Sequence, residues 1–275
     1  MRGFTVSMLA IAVALPAVAQ NSVTIEQDGD GQTSTVDQTF ATGSDVQLHQ
    51  SGSNHGADIF QDGGGLSALI SQEGSGHQAT VSLLGEGHDT SLTQNGSDNS
   101  AVIDVSGSDN SSDVSQDGGG LSAEVFQGGA GNDGSIDQNG SDQHARLDQN
   151  GDGNVGRIRQ DGGGNNAILT QAGGGNRAGI RQSGGGNSAS LTQTGGGNQA
   201  EVTQTGGGNQ LTLGQGGGAI AAAIFQSGGA SASLTQTAEG FIGRVGGETG
   251  SFEQSKGGFV PAGLLDVTVQ ADDGG

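Results

Sequence analysis

Cysteine, tryptophan and tyrosine are absent from this 275-residue chain, and its only aromatic residues are eight phenylalanines. Proline occurs only at Pro16 and Pro261. That excludes a collagen or polyproline segment and leaves a long interval suited to hydrogen-bonded strand. Positive charge is scarce, with 8 Lys and Arg against 29 Asp and Glu for a net charge of −21. Such an acidic chain is unsuited to nucleic acid. Long apolar runs are confined to the start, where Arg2, the stretch Met8 to Leu15 and Ala17-Val18-Ala19 have the order of a secretory leader. The expected mature chain begins at Gln20, has no membrane span and, although exported, makes no use of disulfides.

Glycine is plentiful instead, at 58 residues, which costs backbone entropy and demands strong compensation. The compensation is written as a repeat. From Gln50 onward a register position recurs every eleven residues to Gln226, through Gln160, Gln171, Gln182, Gln193, Gln204 and Gln215, with Gln replaced only at Leu83 and Val105. Gln27 and Gln38 precede the series with one insertion, and Gln236 follows with one deletion, making twenty arms. Two places before each of these lies an aliphatic residue, among them Leu169, Ile180, Leu191, Val202 and Leu213. Four before is usually small, as at Ala167, and six before is often Asn, as at Asn165, Asn176, Asn187, Asn198 and Asn209. A spacing of two is strand periodicity, so these four positions share one face. The residues between, such as Ser188, Ser190 and Thr192, then face water. Between arms runs x-G-x-G, as in Asp161-Gly162-Gly163-Gly164, where glycine supplies the positive φ of a sharp reversal.

Each arm therefore predicts a strand of about seven residues and a bend. One aliphatic side chain per arm is too little to bury alone. Two facing arms make a rung of about twenty-two residues, and stacked rungs place like above like at the strand spacing of about 4.8 Å. The predicted fold class is all-β, a solenoid with two strands per rung. Buried Gln and Asn satisfy one another along the stack, since each carboxamide is both donor and acceptor.

The pattern Q-x-G-x-G-N-x-A-x-hydrophobic-x-Q resembles the repeat of the curlins, secreted subunits of bacterial curli fibres. Asn165, Ala167 and Gln171 fit it, as do Asn187, Ala189 and Gln193, and the likeness extends over nearly all of residues 25–237. Few aromatic residues in the arms, and a first arm directly after the leader, are departures from it. The resemblance implies an extracellular, self-polymerising cross-β subunit for biofilm matrix and adhesion, with a nucleator subunit and an outer-membrane secretion pore as partners. The domain expectation is a leader over 1–19, a repeat solenoid over 20–237 and, over 238–275, an irregular cap or tether, or a last irregular rung. A monomeric secreted solenoid binding ice or carbohydrate on a flat face is the alternative, which regular outward Thr rows would favour.

No triad, HExxH or phosphate-binding arrangement occurs, so neither an enzyme nor a cofactor is expected. The Asp-rich turns do not repeat a carboxylate, and their period of eleven differs from the nine of calcium-binding β-rolls. His55 and His77 take the Asn position twenty-two residues apart and should stack, with His88 on the facing arm. They read as polar residues tolerated there, or as a metal- or proton-sensing pair. Residues 20–159 carry a net charge near −18 while 160–237 balance to zero, which reads as a solvated acidic surface, or as acidic arms that restrain aggregation while the neutral arms nucleate it.

Overall fold

A computed structural model describes residues 20–237, 240–246 and 264–270. The expected leader and the segment containing Phe252, Phe259 and Pro261 lie outside them. Among the described residues twenty-two strands form two eleven-stranded sheets. They begin with β1 (Ser22–Asp30), β2 (Thr33–Asp37) and β3 (Asp45–Ser53), and alternate between the sheets up to β19 (Ala221–Ser227) and β20 (Ser231–Thr237). Up to β20, odd strands make sheet A and even strands sheet B, each pairing in parallel with the strand two before it. The fold is thus a β-solenoid with two strands per rung. Among the described residues no helix is long and apolar enough to cross a membrane.

The register follows the eleven-residue period throughout the regular part. Gln160 pairs with Gln182 and Ile158 with Ile180 in sheet A, as Gln171 pairs with Gln193 and Leu169 with Leu191 in sheet B. The insertion falls in the loop between β2 and β3, where Phe40 is 75% exposed and has φ 65°. The deletion falls in the shortened turn at Gly228 and Gly229. Both shorten the pairing locally, β2 to five residues and β19 to seven, but leave the register of the inward columns intact.

Ile158, Leu169, Ile180, Leu191, Val202 and Leu213 are buried between the two sheets, beside the small residues Ala167, Ala178, Ala189 and Ala200. The outward positions Ser188, Ser190 and Thr192, and Gln199, Glu201 and Thr203, are half-buried or exposed, as the alternation requires.

Most arms carry nine paired residues instead of about seven, as in β13 (Val155–Gly163). Parallel pairing continues through the first turn glycine, whose neighbour in the next rung is again glycine, Gly162 opposite Gly184. At Gly162 φ is 117°, and a Cβ there would collide with the Gly184 carbonyl oxygen. Two places on, Gly164 has φ 65° with no close neighbour for a Cβ, and Asn54, Asp98, Asp109 and Asp142 adopt similar φ values in other turns. The two glycines of a turn therefore answer to different constraints. The first is demanded by the rung above, the second only by its own left-handed backbone.

The chain ends irregularly. β21 (Gly240–Gly246) pairs antiparallel with β20, and β22 (Leu264–Gln270) pairs parallel with β19. Of the forms expected for 238–275, the described part is an eleventh, irregular rung. Gly162→Ala should destabilise the fold by more than about 2 kcal/mol, and Gly164→Asn by well under about 1 kcal/mol, in denaturant melts. Equal costs would show that stacking does not set the first glycine.

Candidate functional site: the buried amide ladders

The candidate residues divide by sheet. Gln160, Gln182 and Gln204 lie in sheet A and Gln171, Gln193 and Gln215 in sheet B, all buried at 0–2% exposure. In sheet A each Nε2 donates to the Oε1 of the next rung without a break from Gln27 to Gln226, at 2.6–2.9 Å. Sheet B repeats this from Gln127 to Gln236 at 2.7–3.0 Å, and from Gln38 to Gln61 at 2.8 Å, with Leu83 and Val105 between.

The second Nε2 proton crosses the core. Gln160 donates to the His144 carbonyl at 3.0 Å, Gln171 to Val155 at 3.1 Å and Gln182 to Asn166 at 3.0 Å. Each ladder Gln thus binds the next rung in its own sheet and the start of a strand in the facing sheet. A buried carboxamide with all these bonds carries no desolvation penalty of the kind a lone one would. The crossing bond is invisible in the periodicity, because it joins positions of different type.

The Asn column works differently. Asn176 and Asn198 lead into sheet A, and Asn165, Asn187 and Asn209 into sheet B; all are 0–1% exposed. Asn154 Oδ1 accepts the backbone N–H of Asn176 at 3.1 Å, and the Asn176 side chain donates to the Gly195 carbonyl of the next turn at 3.0 Å. Asn165 and Gly184 repeat the second contact at 3.0 Å, and Asn187 N–H reaches Asn165 Oδ1 at 3.1 Å. This column therefore locks successive turns together as well as laddering.

Gln fits this slot poorly. Gln143 donates to Asn139 and Gly162 carbonyls at 2.9 and 2.8 Å, yet its Oε1 has no partner, and Gln32 in the same slot shares that defect. The extra methylene displaces the acceptor from the backbone N–H above. Gln143→Asn is expected to stabilise the fold by about 1 kcal/mol, read as a raised melting temperature.

Histidine fits it well. His55 and His77 stack at 5.0 Å with planes 11° apart, and both are buried. Nε2 of His77 meets the Glu73 carbonyl at 3.0 Å while Nδ1 accepts the Asn99 N–H at 3.3 Å; His55 does the same with Ser51 and His77. His88, on the facing arm, bonds Leu84 and Asn110 in the same way. Both ring nitrogens are engaged by backbone, as the neutral Nε2–H tautomer allows. Among the described residues no group of three or more His, Asp and Glu side chains is placed to hold a metal ion.

Burial, with a smaller contribution from His55, holds the His77 imidazole below its ordinary value of 6.5. Its neutral form therefore favours folding, and that stability is complete above the unfolded value and lost as pH falls through the folded one. His77→Asn should flatten the decline of the melting temperature between about pH 7.5 and pH 5, the range around an ordinary imidazole pKa. An unchanged slope would remove His77 from the acid response.

Sequence reasoning also missed a repair. Val105 leaves Gln127 without a ladder donor, and Ser112 on the facing arm donates its hydroxyl to Gln127 Oε1 at 2.6 Å. One rung earlier Thr90 holds the position of Ser112, opposite a stretch of sheet B that carries Leu83 and Val105, and its buried Oγ1 has no partner. A hydroxyl in the small slot near a missing Gln was the available signal.

The outer faces show no comparable order. Thr170 and Thr192 are register neighbours on sheet B, but Asp148 precedes them and Gly214 follows, while Thr203 lies on sheet A. Arg157–Asp133 at 3.8 Å and Arg159–Asp137 at 3.5 Å are exposed pairs of small energetic weight. Burial pushes the Glu201 carboxyl above the ordinary carboxylate range despite Arg177, Arg181 and Arg157 nearby.

The curlin associated repeat model matches residues 20–52, 52–82, 85–118, 151–184 and 184–217. The chain belongs to the curlin family. Its unmatched interval, 119–150, keeps the family's register, with Gln127, Gln138 and Gln149 buried in their columns. There Leu121 and Gln143 replace Asn and Gly134 replaces the small Ala. No curated protein matches this curlin chain. Family and fold together describe a curlin-type structural protein.

Proposed function

We propose that this curlin chain is a structural subunit of an extracellular curli-like amyloid fibre, built by stacking the rungs of successive copies. The observation that carries this is the uninterrupted Gln ladder of sheet A, which ends at β1 with no strand on its outer side among the described residues. A parallel edge with unpaired backbone groups is a template for a further strand, and here the template extends across both sheets. The inward residues from Gln160 to Gln215, with Asn165, Asn176, Asn187, Asn198 and Asn209, are the working parts, and none acts as a reactive group.

In this reading the leader over 1–19 directs export, and the fibre serves biofilm matrix and surface adhesion. The partners are further copies, a nucleator subunit and an outer-membrane secretion pore, as in the curlin family. The interrupted Thr row on sheet B speaks against the ice- or carbohydrate-binding alternative, since lattice matching needs a regular array.

Thioflavin-T fluorescence of residues 20–275 released from denaturant should show a lag and a rise. Fibre diffraction of the product should give a meridional reflection at about 4.7–4.8 Å. A stable monomeric β-rich solution would refute the fibre subunit.

A further inference from the structure

The Gln ladders have a direction. In every internal pair the Nε2 of the earlier rung donates to the Oε1 of the later one, so each rung offers donors toward the C-terminal end and acceptors toward the N-terminal end. At the N-terminal end the acceptors are left over. Gln38 Oε1 is buried without a partner, and the bonds of Gln27 are all made by its Nε2. The defects at Gln32 and Gln143 come from their slot, but Gln38 occupies a proper ladder position and has no preceding rung among the described residues.

The other end does not supply the matching donors. The register partner of Gln226 is Val269 on β22, and that of Gln236 is Phe241 on the antiparallel β21. Neither residue type has a carboxamide. The described last rung therefore continues both sheets by backbone pairing while placing Val269 and Phe241, and not glutamine, at the two register positions.

We infer that end-to-end docking in this protein is one-sided: the N-terminal face, bearing Gln27 and Gln38, fits a solenoid end that presents Gln at both ladder positions, and this chain's own tail rung is a mismatched partner. A copy docking on another copy pairs backbone to backbone, β1 against β22, with Gln27 meeting the position of Val269. A buried acceptor left without a donor in that junction weakens it, and a Gln carboxamide supplied from the other side removes the defect. The inference rests on the stacking reading above and adds to it the identity of the favoured partner, a curlin-repeat end rung with paired glutamines.

The test uses residues 20–275 as wild type, Val269→Gln and Val269→Leu, each assembled from denaturant, with the soluble concentration measured at plateau. Val269→Gln turns the chain's own end into the favoured partner in sheet A. It should leave about fivefold less soluble protein than wild type, the effect of one net hydrogen bond, while Val269→Leu leaves the wild-type amount. Adding Gln27→Leu to Val269→Gln should abolish the gain relative to Gln27→Leu alone, because the acceptor is gone. Equal plateaus for wild type and Val269→Gln, a higher one for Val269→Gln, or a gain that survives Gln27→Leu would each overturn the inference and leave rung stacking standing. If no form assembles, the stacking reading fails and this inference with it.

Discussion

A glutamine carboxamide buried between two sheets is tolerable only if both its ends find partners, and here those partners are its own copies one rung away. Gln160 between Gln138 and Gln182 is satisfied because the chain returns to the same register after two arms. A slip of one residue would point every Gln and every aliphatic side chain outward. The ladder thus makes register a condition of stability for the whole solenoid. The thin apolar layer of one aliphatic and one small residue per arm could not impose this alone.

From that constraint the rest follows. Because like stacks on like, turns stack as well, and the first glycine of most turns lies against the carbonyl of the next. Asn ties each turn to its successor through one carbonyl and one N–H; histidine keeps the N–H contact to the next rung but turns its Nε2 to a carbonyl of its own turn, as His77 does to Glu73. Departures stand out as local defects with local remedies. The Ser112 hydroxyl replaces a missing ladder donor, whereas Gln in the Asn slot leaves an acceptor unmet.

The same logic links fold to function. A stack held by contacts that are identical at every step has no intrinsic end, so its termini decide whether it stays single or recruits a neighbour. Among the described residues the two ends of the stack differ chemically, with a buried unmet acceptor at Gln38 at one and the irregular strands β21 and β22 at the other.

Period and alternation were legible directly, because a strand turns its side chains with period two and a repeat of eleven returns each type to the same face. The inward Gln, Asn and aliphatic columns, the two-arm rung and the stacking of His55 on His77 follow from counting. What each amide bonds does not, since the crossing bond from Gln160 to the His144 carbonyl and the turn-locking by Asn176 join unlike positions in space. Nor does counting separate Gly162 from Gly164, because both are glycine and only the neighbouring rung distinguishes them. The tail was the least legible part: after Gln236 the period stops, β21 folds back antiparallel on the adjacent β20, and β22 pairs with β19, which is distant in sequence. The amino-acid order by itself determined which residues face inward, since that is a local property of strand geometry. Only the tertiary structure decided which atoms they meet and where the ladder ends, since those depend on the rungs above and below.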